Sequence, residues 1–219
     1  MNKSEKKSLL MGSIFLAMFA VWTALIQSVD VQPLGQNGTG IGFATFNCWF
    51  HHFTGVNMAI YTITDWMGLV PAVICLVFAG IGLVQLIQRR SLFRVDADIL
   101  ILGVYFVIVF LAYAIFETIP INYRPILIEG RMEASYPSST TLLVLSVMPA
   151  LIEQIRRRLS GIGIKRIITI AAIAFSVFMV TGRLISGVHW FTDIVGGVLL
   201  SAGLFQLYKA AVMLVLKEK

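Results

Sequence analysis

The sequence predicts an all-α membrane protein: a bundle of six transmembrane helices with an interfacial helical segment between spans 1 and 2. Three observations predict it. The chain of 219 residues is 58% hydrophobic and 13% charged, with a mean hydropathy of +0.87, where a soluble domain carries about 25% charged residues. The apolar residues gather in runs of roughly the 20 residues a bilayer requires, which excludes a soluble domain with an oversized core. Finally, the basic residues fall almost entirely in alternate connections, as the positive-inside rule demands.

The runs come in order as Leu9–Val29, Met67–Gln88, Ile99–Phe116, Thr140–Gln154, Ile167–Ile185 and Ile194–Leu216. The first follows three lysines but is long enough to stay as a span rather than a cleaved signal. The fourth is short and holds Pro149, so a kink or extension is expected there. Between the first two lies Phe43–Ile63, apolar but interrupted by His51, His52, Asn57 and threonines, and read as an interfacial or re-entrant helix. The loop Gln32–Gly42, with four glycines, is expected to be external and mobile. Gly196, Gly197, Ser201 and Gly203 give the last span a face of small residues suited to close helix packing. Trp22, Trp49, Trp66 and Trp190 are expected to anchor the bundle at the interfaces. The chain reads as one membrane-embedded domain, residues 1–219.

Fourteen of the seventeen basic residues lie on one side: Lys3, Lys6, Lys7, Arg89, Arg90, Arg94, Arg156, Arg157, Arg158, Lys165, Arg166, Lys209, Lys217 and Lys219. That side is cytoplasmic, and both termini lie with it. This distribution accounts for the net charge of +6 without a nucleic-acid partner. Two cysteines, Cys48 and Cys75, are too few for a disulfide framework. The outer side keeps Arg124, Arg131, Arg183 and all three histidines.

The chemistry on that outer side is concentrated. Arg183-Leu-Ile-Ser-Gly-Val-His189-Trp-Phe-Thr-Asp193 puts a guanidinium, an imidazole and a carboxylate within eleven residues. Helical spacing places His189 and Asp193 on one face, where the carboxylate can set the tautomer of the ring. Arg183 offers a fork for a phosphate. Tyr136-Pro137-Ser138-Ser139-Thr140-Thr141 reads as a helix start, which is an anion site or a plain cap. Arg124-Pro125 supplies a second outer arginine, for a phosphate or for lipid headgroups. Two arginines, a helix N-terminus and a His–Asp pair suit phosphoryl transfer with a covalent histidine intermediate. The adjacent His51 and His52 lack the spacing of a helical metal pair, and His189–Asp193 lacks a third ligand; no metal or cofactor is expected.

In these motifs the chain resembles the type 2 phosphatidic acid phosphatase family of membrane lipid phosphatases. Its patterns are Lys-x6-Arg-Pro, Pro-Ser-Gly-His and Ser-Arg-x5-His-x3-Asp. Here they read Glu117-x6-Arg124-Pro125, Pro137-Ser138-Ser139-Thr140 and Gly182-Arg183-x5-His189-x3-Asp193. The resemblance implies that His189 is the nucleophile and Asp193 its orienting partner. Arg124, Ser138, Ser139, Thr140 and Arg183 would surround the phosphate.

Four departures stand out: Glu117 for the family's lysine, Ser139 for its glycine, Thr140 for its second histidine and Gly182 for its motif-three serine. The second histidine serves the family as the general acid, which threonine cannot be near neutral pH. A diphosphate has a good leaving group and needs that acid least. The expectation is therefore hydrolysis of a lipid (polyprenyl) diphosphate at the extracytoplasmic face, with undecaprenyl diphosphate the natural candidate in a bacterial plasma membrane. His51 or His52 is a substitute acid to consider. The alternatives are a non-catalytic lipid-phosphate binder or transport factor, and a lipid-to-lipid phosphotransferase.

Overall fold

The computed structural model describes residues 1–217, and Lys219 of the basic set lies outside them. It contains eight α-helices: α1 (Lys3–Ile26), α2 (Ala44–Thr54), α3 (Met58–Met67), α4 (Leu69–Arg89), α5 (Ala97–Thr118), α6 (Ser139–Arg158), α7 (Ile162–Ile185) and α8 (Phe191–Lys217). Among the described residues there is no strand, only isolated bridges such as Tyr123 with Ala134.

Five helical stretches are long and apolar enough to cross a membrane: Lys3–Ile26, Met58–Arg89, Ala97–Thr118, Ile162–Ile185 and Phe191–Leu216. The fourth expected span corresponds to α6, which does not reach that threshold. Its position explains why. α6 packs against α4, α5, α7 and α8, so it tolerates Ser146 and Gln154 fully buried inside the protein. The helix runs on through Pro149.

The segment Phe43–Ile63 divides differently from expectation. Its first half is the short helix α2. Its second half belongs to α3, which passes through a turn at Gly68 into α4 and so lengthens that apolar helical stretch to Met58–Arg89. The chain turns between α2 and α3 at Gly55, which has a φ of +66°.

Close helix contact follows the small residues. A Cβ on Gly203 would stand 2.7 Å from Leu16 of α1, and one on Gly12 would stand 2.8 Å from Leu207 of α8. Gly196 lets the Tyr136 ring lie against α8, where a Cβ would be 2.3 Å from it. The main core joins α5, α6 and α8 through Leu102, Tyr105, Val109, Leu142, Val147, Tyr208 and Val212. Tyr105 and Tyr208 stack with centroids 4.7 Å apart. Their hydroxyls are satisfied: Tyr105 donates to the Ser146 carbonyl at 3.1 Å, and Tyr208 accepts from Gln154 at 3.0 Å. Arg158 extends this chain, donating to Gln154 and to Asp98 at the basic end of the bundle. Buried polar groups inside a bilayer need such partners.

The opposite end is capped by the α1–α2 connection, α2 and the 119–138 connection. The Gln32–Gly42 loop is pinned there: Gln32 pairs with Ile41, Ile41 is fully buried, and Gln36 donates to the Pro125 carbonyl at 2.9 Å. The tryptophans split into two pairs. Trp49 and Trp66 are exposed, as interfacial anchors would be. Trp22 and Trp190 instead donate to backbone carbonyls at this end, Trp22 to Thr192 in the first turn of α8 (3.1 Å) and Trp190 to Tyr123 (2.9 Å).

Candidate active site

The ends of α6, α7 and α8 meet at this pole. α7 ends at Ile185 and carries Arg183 in its last turn; a short turn then delivers His189 just before α8, whose first turn holds Asp193. The turn is fixed from outside. Asn57 donates its backbone N–H to the Ser186 carbonyl at 2.9 Å, and the His51 ring meets the Gly187 carbonyl at 3.0 Å. Asn47 of α2 donates to Thr192 at 3.0 Å.

Asp193 is fully buried and receives three donors. Asn122 reaches Oδ1 at 3.1 Å, the Trp190 N–H reaches Oδ2 at 2.8 Å, and the Ser135 hydroxyl donates to Oδ2. The His189 Nδ1 atom is 3.7 Å from Oδ2, beyond hydrogen-bond range, and 3.2 Å from the Ser135 hydroxyl. On the other side of the ring, Nε2 is 3.5 Å from Nη2 of Arg183. Burial, together with the positive charges of Arg124 and Arg183, holds the His189 imidazole well below its usual range. It is therefore neutral near pH 7 with one ring nitrogen free to act as a nucleophile.

Arg124 and Arg183 form the cationic half. Both are buried, at 8% and 1% exposure. Tyr61 of α3 lies against them, its ring centroid 4.9 Å from the Arg183 guanidinium carbon and 5.8 Å from that of Arg124. Arg124 pairs with Glu133 at 3.1 Å, and Arg183 contacts Asp65 at 3.5 Å. Even so, Nε and Nη1 of both arginines have no hydrogen-bond partner. Orphaned buried donors cost about 1–3 kcal/mol each, and more when charged. An anion with several acceptor oxygens relieves that cost, and a phosphate has the right shape and charge.

The α6 N-terminus completes the pole. Ser138 caps the helix, its Oγ accepting from the Thr141 N–H at 3.5 Å, while its own N–H donates to the Asp193 carbonyl at 3.1 Å. Ser138 thus ties α6 to α8. Ser139 and Thr140 are half-buried in the first turn. Glu117, at the end of α5, is exposed and lines a small cleft with Tyr136, Pro137 and Ser139. The carboxylate that meets Arg124 is Glu133, not Glu117. His52 is exposed and bonds the Cys48 carbonyl within α2, whereas His51 is tied to the His189 turn.

A model of the PAP2 superfamily matches residues 8–214. The chain belongs to the PAP2 superfamily. The PAP2 architecture is also seen in a solved structure, described as the crystal structure of the first transmembrane PAP2 type phosphatidylglycerolphosphate phosphatase from Bacillus subtilis. That chain is 18% identical, with a TM-score of 0.66 over 95% of this chain and 98% of that one. No curated protein matches. This PAP2 protein is accordingly an integral membrane protein with the superfamily's fold.

Ser135, Asn122, Glu133, Tyr61 and Asp65 belong to the cluster and carry no role in the sequence reading. Asn122 lies in the x6 interval of the first quoted motif and Ser135 just before the second, and the backbone pairing of Asn122 with Ser135 (3.1 Å) brings those motifs together. Tyr61 and Asp65, four residues apart on α3, had only their helical spacing as a signal.

Proposed function

We propose that this protein is a membrane phosphatase that hydrolyses a lipid (polyprenyl) diphosphate through a phosphohistidine intermediate at the extracytoplasmic face. The observation that carries the reading is the set of Nε and Nη1 donors without a hydrogen bond on two buried arginines beside His189. In this reading α6 is a sixth crossing, since 20 residues of helix span about 30 Å. Both termini then face the cytoplasm of a bacterial plasma membrane.

The terminal phosphoryl group sits between Arg124, Arg183 and the first turn of α6 with Ser138, Ser139 and Thr140. The lone pair on His189 Nε2 attacks its phosphorus in line. The P–O bond to the lipid monophosphate breaks, and its electron pair stays on the departing oxygen. That oxygen belongs to a phosphate with a second pKa of about 6, so it leaves without a proton donor. Water then attacks the phosphohistidine, its oxygen bonds to phosphorus as the P–N bond breaks, Nε2 recovers its lone pair, and the inorganic phosphate departs with the protons of the water. Asp193 acts on the Nδ1 side of the ring, where positive charge develops.

A second reading, a lipid-phosphate binder without turnover, is favoured by Thr140 at the position of the family's acid. Phosphate release from polyprenyl diphosphates and lipid monophosphates, by wild type and His189→Ala, separates the two. The expected result is faster release from the diphosphate and a loss of at least about a thousandfold in His189→Ala. Equal or faster release from a monophosphate would overturn the substrate class. Activity unaffected by His189→Ala would overturn the mechanism, and binding without any release would establish the second reading.

A further inference from the structure

Asp193 and His189 are the pair expected to orient the reacting ring, yet their nearest atoms are 3.7 Å apart. No direct hydrogen bond spans that gap. The Ser135 hydroxyl fills it, 3.2 Å from His189 Nδ1 and hydrogen-bonded to Asp193 Oδ2. Ser135 is 2% exposed, and its backbone N–H is fixed on the Asn122 carbonyl.

The donors and acceptors around His189 order the protons in this chain. Arg183 is a donor only, so the Nε2 atom that faces its Nη2 must offer a lone pair. The single ring proton of neutral His189 therefore lies on Nδ1. Nδ1–H then points to Ser135, whose Oγ lies 3.2 Å away and whose backbone carbonyl also favours a proton on that ring nitrogen; a hydroxyl that accepts from Nδ1–H must pass its own proton to an acceptor. Asp193 Oδ2 is that acceptor. Asn122 and the Trp190 N–H, both donors, hold the carboxylate in place from its other sides. The result is a three-member chain, His189–Ser135–Asp193, that leaves the nucleophilic lone pair on the side of the two arginines.

We propose that Ser135 is a positioning residue: it relays Asp193 to His189, fixes the ring tautomer and aims Nε2 at the phosphorus. This rests on the phosphatase reading above. During attack, Nε2 forms its bond to phosphorus and the P–O bond to the lipid monophosphate breaks. The Nδ1 proton stays on the ring, and the charge of the N-phosphorylated imidazolium is balanced through Ser135 by the Asp193 carboxylate. No proton leaves the chain, so the same arrangement serves the hydrolysis of the intermediate.

The test compares wild type, Ser135→Ala and Ser135→Thr by turnover and by nitrogen-15 NMR of labelled histidine. The His189 signals are those absent from His189→Ala. Wild type is expected to show a protonated Nδ1 and an unprotonated Nε2. Ser135→Ala is expected to mix the two tautomers, to lower kcat about 10- to 100-fold, the range seen when the hydrogen-bond partner that orients a metal-binding histidine is removed, and to leave KM within about twofold. Ser135→Thr, which keeps the hydroxyl, is expected to recover part of kcat. If wild type is active but Ser135→Ala matches it in kcat and tautomer, the positioning role fails while the phosphatase reading stands. If wild type releases no phosphate from any lipid, the phosphatase reading fails, and the NMR comparison still decides how the ring is held. Should Ser135→Ala not accumulate as folded protein, the wild-type tautomer decides: an Nε2-protonated ring overturns the proposal.

Discussion

Gly182, where the family pattern has serine, permits a sharp prediction about how the site is packed. A Cβ at this position of α7 would lie 2.6 Å from Cγ2 of Thr64, against 3.4 Å where ordinary contact begins. Thr64 cannot simply turn aside. It is fully buried, it is β-branched, and its hydroxyl donates to the Ile60 and Tyr61 carbonyls at 2.9 and 3.0 Å. Gly182→Ser must therefore push α3 away from α7 and carry Tyr61 off the two guanidiniums. Overpacking of this kind costs about 1–3 kcal/mol, offset by roughly 0.5 kcal/mol from replacing glycine within a helix. Thr64→Ser removes the offending methyl but keeps the hydroxyl, at a cost of about 1 kcal/mol for the lost burial. In the double variant the new Cβ occupies the vacated space. The two changes should then couple favourably by at least about 1 kcal/mol, whereas independent sites add within about 0.5 kcal/mol. Thermal unfolding of the purified protein in detergent reads this as a Tm that falls by roughly 2–6 °C in Gly182→Ser and largely returns in the double variant. Additive Tm changes would refute the steric account of why glycine stands at this position.

Two further outcomes are expected. Thr140→His restores the family's acid position, so monophosphatase activity should appear or rise while diphosphate release changes little; phosphate release on both substrates checks this. Arg124→Gln removes one of the positive charges that depress the His189 pKa, so that pKa rises toward its ordinary value. The acid limb of kcat/KM against pH should move upward from its wild-type position below the usual imidazole range, with kcat/KM falling about 10- to 100-fold for a lost charged hydrogen bond.

The helical pattern was readable wherever a helix faces lipid, because lipid contact demands an uninterrupted apolar surface. α1, α4, α5, α7 and α8 follow their apolar runs to within a turn or so at most ends. α6 was the weakest signal for a physical reason: its neighbours shield it, so Ser146 and Gln154 cost nothing in lipid exposure. The split of 43–63 into two helices was hidden because Gly55 and the Asn57 cap act locally within a region of uniform polarity. In the site, Arg183, His189 and Asp193 were legible because few charges occur in spans. Ser135 was not, since a lone serine before a tyrosine carries no periodic or electrostatic mark. Its role depends on the 3.7 Å gap between two other residues, a distance that no spacing rule contains. Glu117 drew attention as a substitution, yet the carboxylate on Arg124 comes from Glu133, which the hairpin-like 122–135 connection folds back onto it.

The interval between Arg183 and His189 contains more than its length. Gly187 has a φ of +70°, and a Cβ there would stand 2.0 Å from the Gly55 carbonyl oxygen. Two turns distant in sequence meet at that point with room for a hydrogen atom and nothing larger. A pattern that writes these five positions as free would admit sequences this fold cannot adopt. In this protein the gap in the motif is itself a structural instruction: end the helix, reverse through a left-handed glycine, and set the imidazole down beside the guanidinium six residues behind it.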